Sequence, residues 1–307
     1  MKKIFLGPHG LRSGWRLLIF FVIVAFINIA FQYILLRLPH VGENLLAFLR
    51  GDFGPVGGIF GEAITATSML IGMWIMAKIE RRRIGDYGWR PSRPGAALRL
   101  FAGFLFGVLL VAAMYTLQWA EHVYSFGTWA IPARTAIAGG LAWAAVCFLV
   151  GIFEEGTFRG YAQFTLASGI GFWPAAVIIS SAFGLLHLLD PNYTWLGVGG
   201  PAIFGLLFAF CLWRTGDLWL AIGIHMAVDF SELFLFAPAN SFHSALHLLR
   251  ADLHGPAWLT GWTIGPEASV NGYAVLALAC VIVWAATRES KVNWESTALA
   301  GQPSAPR

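Results

Sequence analysis

The chain has 307 residues, of which 58% are hydrophobic and only 12% are Asp, Glu, Lys or Arg, and its mean hydropathy is +0.68. Soluble domains average roughly 45–50% apolar and roughly 25% charged residues, so this composition excludes an ordinary soluble domain and a disordered chain. The net charge is +4. The positions of the basic residues indicate membrane orientation rather than a nucleic-acid partner, and no nucleic acid is expected.

Eight apolar runs approach the roughly 20 residues that a helix needs to cross the hydrocarbon layer. In chain order they cover 17–36, 59–77, 100–120, 136–153, 172–189, 196–213, 218–236 and 272–287. The sixth run is interrupted by Gly199-Gly200-Pro201, and the eighth is short. We therefore predict an all-α fold, a polytopic membrane bundle with about eight transmembrane helices.

The Lys and Arg residues are unevenly divided between alternate connecting segments. On the side of the N-terminus there are 15 and on the other side 4, with Arg159 set aside because it lies in a motif. Cytoplasmic loops carry an excess of Lys and Arg, so we predict that both termini are cytoplasmic. In a bacterium this would be the cytoplasmic membrane. The run Arg81-Arg82-Arg83 is expected to contact lipid headgroups.

The chain divides into three predicted parts. Residues 1–135 hold the first three transmembrane helices and the basic cytoplasmic loop 78–99. Residues 136–236 hold helices four to seven. Residues 237–307 hold an outer loop with a weakly amphipathic piece near 241–251, the last transmembrane helix and a cytoplasmic tail.

Ionisable side chains inside transmembrane segments are costly, so each one is a candidate for function. Those inside or at the edge of the predicted spans are Glu62, Glu154, Glu155, Arg159, His187, His225, Asp229 and Glu232. Most fall in the fourth, fifth and seventh runs. Glu62 in the second run could line a cavity, pair with Arg159, or serve in packing at the helix end.

The fourth run ends in Glu154-Glu155-Gly156-Thr157-Phe158-Arg159. Glu155 and Arg159 are four residues apart and share one helix face, where the pair can neutralise itself. Glu154 points about 100° away and lacks this partner, so it is the carboxylate left for proton transfer. The alternative is a surface charge cluster at the cytoplasmic end of the helix.

The fifth run carries Phe183 and, one turn later on the same face, His187. A turn is expected near Gly169-Ile170-Gly171, with the fourth helix extending to about Ala167. Glu154 and His187 lie at equal distances from this turn along the chain, so an antiparallel hairpin would place them at one depth. The alternative for His187 is a packing role in an apolar helix.

The seventh run places His225 and Asp229 four residues apart on one face, after Asp217 as the expected N-cap. This pair could be functional or a buried structural hydrogen bond. Farther on, His243 and His247 are also four residues apart, with His254 nearby, but they lack the Glu of a zincin motif. No metal site is expected there.

Taken in order, Glu154-Glu155-x-x-x-Arg159, Phe183-x-x-x-His187 and His225-x-x-x-Asp229 resemble the motifs EExxxR, FxxxH and HxxxN or HxxxD of the CPBP family. This family, also called Abi, contains the CAAX prenyl endopeptidases and the bacteriocin-processing or bacteriocin-immunity proteins. The resemblance covers about 135–235, which includes Gly216-Asp217-Leu218-Trp219. It implies that the part 136–236 is a catalytic core.

The resemblance implies an intramembrane endopeptidase that acts on a membrane-associated peptide or protein. It implies that Glu154 and His187 activate the attacking water, and that His225 and Asp229 stabilise the oxyanion or complete the polar site. Glu155, Arg159 and Phe183 are then supporting residues. The prenyl endopeptidases have Asn where this chain has Asp229, and an ionised Asp only accepts hydrogen bonds, so direct oxyanion donation by residue 229 is in question.

Two questions stay open at this stage. Glu154, His187 and His225 could hold a single divalent metal such as Zn, but a carboxylate–histidine pair can also deprotonate water without a metal. The metal-free mechanism is the favoured interpretation. The alternative functions are a non-catalytic bacteriocin-immunity or scaffold protein and a proton-coupled transporter, since Glu and His chains also serve as proton relays.

Overall fold

The computed structural model describes residues 5–7, 10–51, 54–189, 193, 195, 197–238, 246–262, 264–289 and 292. The helices are α1 (Ser13–Leu35), α2 (Val41–Leu49), α3 (Pro55–Ile79), α4 (Ala96–Ala120), α5 (Ala133–Ile170), α6 (Phe172–Leu186), α7 (Gly199–Thr215), α8 (Trp219–Phe230), α9 (Ala257–Thr260) and α10 (Val270–Ala286). Two short antiparallel pairs join β1 (Leu6–Gly7) to β2 (Gly10–Leu11) and β3 (Tyr124–Ser125) to β4 (Asp252–Leu253).

Each of the eight predicted runs coincides with a helix. Among the described residues, α1, α3, α4, α5 and α6 with its following turn are long and apolar enough to cross a membrane, while α7 and α10 are shorter apolar helices. The predicted helical membrane bundle is therefore confirmed, and the chain is an integral multi-pass membrane protein. The exact number of eight spans stays a prediction.

Helix α5 is 38 residues long, or about 57 Å at 1.5 Å per residue. Its α-helical geometry changes to a π-helix over Gly156–Ala162 and then resumes over Gln163–Ile170. Gly171 then turns the chain into α6 with a φ of +87°, a conformation that a residue with a Cβ rarely adopts. The sequence located this turn, but it did not indicate the π-helix.

Close packing of α8 against α4 fixes the position of the seventh predicted span. A Cβ at Gly103 of α4 would lie 2.5 Å from the carbonyl oxygen of Leu220, and a Cβ at Gly223 of α8 would clash with the carbonyl of Leu100. Small residues let membrane helices approach to backbone contact in this way. On the other side of α8, Gly151 of α5 lies against Ile222, which brings the polar part of α5 beside α8.

Many of the described Lys and Arg residues lie at one end of the bundle, which we call the basic end. Here Glu80 accepts hydrogen bonds from Arg16 and from Tyr87 and Tyr161, and Arg82 lies 3.8 Å away. In the same region Asp217 is fully buried and pairs with Arg93 at 3.1 Å and with Arg99 at 2.7 Å. These contacts tie the loop between α3 and α4 to helices α1, α5 and α8.

The connections at the other end form a cap, which we call the opposite end. The β3–β4 pair joins the segment after α4 to the segment before α10. Tyr124 donates to the carbonyl of Phe236 at 2.8 Å, and Gln118 donates to the carbonyls of Leu259 and Thr260. Residues 241–245 of the predicted amphipathic piece, including His243, and residues 290, 291 and 293–307 of the predicted tail lie outside the described residues.

Three local expectations need correction. Helix α2 was not predicted, and it packs with Phe48 against Gly57 and Gly61 of α3. Gly199-Gly200-Pro201 does not interrupt a helix but forms the first turn of α7. Proline is tolerated there because the N–H groups of the first turn have no hydrogen-bond partner within the helix. The N-cap residue of α8 is Leu218 rather than Asp217, although a carboxylate oxygen of Asp217 accepts the N–H of Trp219 at 3.3 Å.

Candidate active site

A buried chain of three side chains joins α5 to α8. Arg159 donates to Oε1 of Glu155 at 3.1 Å, and the same oxygen lies 2.8 Å from Nδ1 of His225. Glu155 and Arg159 are fully buried and His225 is 6% exposed. The pairing of Glu155 with Arg159 follows from their helical spacing. The contact between Glu155 and His225 could not be read from the sequence, because the two residues lie on different helices.

The second nitrogen of His225 faces two further carboxylates. Nε2 lies 3.4 Å from Oε2 of Glu154 and 3.7 Å from Oδ2 of Asp229. A carboxylate such as Glu155 opposite Nδ1 favours the form of the ring in which Nδ1 carries a proton. Nε2 is then directed at the space between Glu154 and Asp229. The structure therefore gathers Glu154, His225 and Asp229 around one ring edge.

His187 lies where α6 ends, in a short 3₁₀ turn over His187–Leu189. Its Nδ1 is 2.8 Å from the carbonyl oxygen of Phe183, and a carbonyl oxygen only accepts, so Nδ1 donates and Nε2 is the acceptor nitrogen when the ring is neutral. The Phe183 ring is 4.8 Å from His187 and 6.2 Å from His225, measured between ring centroids. Phe183 thus packs between the two histidines.

Aromatic rings surround the guanidinium of Arg159 and the ring of His225. Phe208 of α7 stacks on His225 at 5.0 Å with an interplanar angle of 9°. The Arg159 guanidinium lies 4.4 Å from the centroid of Phe183 and 5.2 Å from that of Phe208. Sequence reasoning missed Phe208, because an aromatic residue in an apolar run looks like any other packing residue.

His187 and His225 line one small cavity of about 60 Å³. The other lining residues are Phe183, Tyr193, Pro201, Phe204, Phe208, Val228, Asp229, Glu232 and Glu267. Glu232 lies in a π-helical turn after α8, and Glu267, 4% exposed, lies in the segment before α10. Burial raises the pKa of Glu267 above its ordinary value. The sequence analysis identified Glu232 as an ionisable residue in a predicted span, but no sequence pattern indicated that Glu267 would lie near it.

The other polar residues that the sequence singled out, Glu62 and His247, make hydrogen bonds outside this cluster. Glu62 accepts a hydrogen bond from Thr65 of its own helix at 3.0 Å, and the partner of Arg159 is Glu155 instead. His247 contacts the carbonyl of Leu249 at 2.6 Å.

A metal ion needs three or more convergent donors in most protein sites. Within the part of the chain that the structure describes, no group of three His, Cys, Asp or Glu side chains is arranged to hold one. The alternative of a metal held by Glu154, His187 and His225 stays a prediction. What the site offers chemically is three carboxylates within 3.7 Å of the His225 ring, and carboxylates and imidazoles are the groups of general acid–base catalysis.

Comparison with known families gives a match over the same part of the chain. Residues 136–231 match the family model described as Type II CAAX prenyl endopeptidase Rce1-like, so the predicted family resemblance is confirmed for this stretch. No curated protein and no solved structure gives a significant match to the chain. The match supports assignment as a membrane protease.

Proposed function

We propose that this chain is an intramembrane endopeptidase that hydrolyses a peptide bond in a membrane-associated peptide or protein. The observation that carries the proposal is the meeting of Glu154, His225 and Asp229 at one ring edge, beside a cavity that His187 also lines. All four residues lie in the stretch that matches the CAAX endopeptidase family.

In the proposed reaction Glu154, with His187, takes a proton from water. The water oxygen attacks the carbonyl carbon of the scissile bond, and the carbonyl becomes an oxyanion. The C–N bond then breaks, and the proton passes to the leaving nitrogen. General bases act at about 2.6–3.2 Å from the proton they take, directly or through one water. Glu154 lies 3.4 Å from Nε2 of His225, at the ring edge where the water is proposed to react.

His225 and Asp229 have the supporting part in this proposal. With Nδ1 held by Glu155, His225 presents Nε2 to the reacting atoms and would donate to the oxyanion when the ring is doubly protonated. Asp229 lies 3.7 Å from that nitrogen and orients the ring. This role needs no hydrogen-bond donation from Asp229, which resolves the difficulty of an Asp where the prenyl endopeptidases have Asn.

The test is a comparison of natural substrates. Membrane fractions are incubated with the purified chain or with its Glu154→Ala variant, and new peptide N-termini are identified by mass spectrometry. We expect new N-termini only with the unchanged chain, and equally in the presence of a metal chelator. The same N-termini with Glu154→Ala would contradict the proposal. Loss of cleavage in chelator that Zn restores would replace the glutamate mechanism with a metal-dependent one.

A further inference from the structure

We infer that Phe208 of α7 is a positioning residue of the proposed active site, where it holds the plane of the His225 ring. This inference rests on the proposed function, and it adds to the site a helix that carries none of the three sequence motifs. Three features carry it: the stacking of Phe208 on His225, the packing that fixes Phe208, and the contact of the same ring with Arg159.

One hydrogen bond does not fix the orientation of the His225 ring. Glu155 lies 2.8 Å from Nδ1 and so locates one edge of the ring. The ring can still turn about the bond to its Cβ, because torsions between a tetrahedral and a planar carbon have broad minima, and a hydrogen bond tolerates small changes of angle. Such a turn would move Nε2 relative to Glu154 and Asp229, which lie 3.4 and 3.7 Å from it. A contact on the ring face is therefore needed to set the plane.

Phe208 supplies that contact. Its ring lies nearly parallel to the His225 ring, with 5.0 Å between the ring centroids and 9° between the ring planes. Phe183, a second ring beside His225, lies 6.2 Å away at an angle of 75°, which is an edge-to-face arrangement. A parallel ring covers the face of the imidazole, whereas a ring edge touches only part of it. Phe208 is therefore the ring that restrains the rotation of His225.

Phe208 is itself held in place by its neighbours. It is 2% exposed, and the ring of Phe204, one helical turn earlier on α7, stacks on it with 5.7 Å between centroids and 26° between planes. Gly205 lets this part of α7 approach α5 and α6, since a Cβ there would lie 2.5 Å from Nη2 of Arg159 and 2.9 Å from the side chain of Ser180. A ring enclosed at native packing density keeps one orientation, and it can hold a second ring stacked on it.

The same ring also contacts Arg159. The guanidinium carbon of Arg159 lies 5.2 Å from the centroid of Phe208, inside the roughly 6 Å at which an aromatic face attracts a cation. Arg159 binds Glu155 and Glu155 contacts His225, so Phe208 touches both ends of this buried chain. In the proposed reaction His225 donates to the oxyanion as a doubly protonated ring, and the face of Phe208 then meets a second cation. An aliphatic side chain offers neither a planar face nor this attraction.

The test compares three single variants of the purified full chain in detergent. Phe208→Leu removes the planar face, and Phe208→Tyr keeps it. The control Phe20→Leu removes a completely buried ring of α1 that stacks on Tyr161 at 4.1 Å, in a hydrophobic cluster that does not include Phe208. Peptide cleavage gives kcat and KM, and melting measures the loss of packing.

We expect Phe208→Leu to lower kcat by about 10-fold to 10²-fold with little change in KM, as a misplaced catalytic group does. Phe208→Tyr should keep most of kcat, and Phe20→Leu should melt earlier but cleave like the unchanged chain. Nuclear magnetic resonance of isotope-labelled histidine gives a second measurement that needs no activity. The ring nitrogen signals of His225, assigned by their loss in His225→Gln, should split or broaden in Phe208→Leu alone, because only there does the ring take several orientations.

An unchanged kcat in a folded Phe208→Leu variant, or an equal loss of kcat in Phe208→Tyr, overturns the inference. So do His225 signals that stay single in Phe208→Leu. If the unchanged chain cleaves no peptide, the proposed function is refuted alone, and the histidine signals decide whether Phe208 holds the ring. If Phe208→Leu does not fold, Phe208→Met, which also lacks a planar face, takes its place in both measurements.

Discussion

Two adjacent carboxylates, Glu154 and Glu155, have different surroundings. Glu155 is fully buried and contacts both Arg159 and His225 through one oxygen. The side chain of Glu154 is 24% exposed. Among the described residues, its one ion-pair contact is with Nε2 of His225, on the side of the ring away from Glu155. Glu155 is therefore suited to hold other groups in position, and Glu154 to meet water.

The Glu155→Gln variant should lose stability before anything else. The change leaves Arg159 as a buried cation without its carboxylate, and breaking a buried pair in this way typically costs about 3–5 kcal/mol. The double change Glu155→Gln with Arg159→Met should recover part of that loss because it removes both charges. Melting in detergent measures the free-energy difference between these variants.

The matched control is Glu43→Gln, the same change at an exposed residue far from the site, which should melt like the unchanged chain. Normal melting of Glu155→Gln, or no recovery in the double variant, would show that the pair is not what stabilises this region.

The helical spacing predicted the contacts that lie within one helix, such as Glu155 with Arg159. Between helices, chain distance located the turn at Gly171 that joins α5 to α6, and the equal depth of Glu154 and His187 stays a prediction. The Glu155–His225 contact and the stacking of Phe208 depend on how α7 and α8 pack against α5. A sequence pattern does not contain that information.

Helices α1, α3 and α5 meet at Glu80, which follows the last turn of α3. Burial alone would raise the pKa of Glu80, but hydrogen bonds from Arg16, Tyr161 and Tyr87 outweigh it and lower that pKa below its ordinary value. The ionised form of Glu80 is therefore stabilised more in the folded protein than in the unfolded chain. This cluster fixes the π-helical part of α5 relative to α1 and α3.

The stability supplied by Glu80 should depend on pH in the acid range. Because the pKa of Glu80 is lower in the folded protein than in the unfolded chain, ionised Glu80 stabilises the fold. This stabilisation is complete above the unfolded pKa of about 4.3, and it is lost as the pH falls through the pKa of the folded protein. The Glu80→Gln variant should melt earlier at pH 7, because hydrogen bonds to a charged group typically contribute about 1.5–3 kcal/mol. The gap between the two proteins should narrow as pH falls below about 4.

Thermal melting of both proteins in detergent from pH 7 to pH 3 measures this gap, with Glu43→Gln again as control. A gap that stays constant with pH would mean that the charge of Glu80 contributes nothing. Apolar runs were sufficient to predict the long helices, but they did not indicate the π-helix of α5 or helix α2, which packs with Phe48 against glycines of α3.

At the scale of the molecule, the bundle has a closed half and a half that holds a cavity. The basic end is filled by an apolar cluster and by the ion pairs of Glu80 and Asp217. The catalytic candidates lie at the boundary between the two halves.

Glu154 is the proposed base of the peptide hydrolysis. The most direct test of this role is the cleavage of a peptide substrate by the purified chain in detergent, compared with Glu154→Gln and with Glu43→Gln. General-base catalysis typically contributes about 10²–10⁴-fold, so we expect Glu154→Gln to lose activity by that factor, with unchanged melting because amide and carboxylate have nearly the same shape. Glu43→Gln should cleave like the unchanged chain. Full activity in a normally folded Glu154→Gln variant would show that Glu154 is not the base.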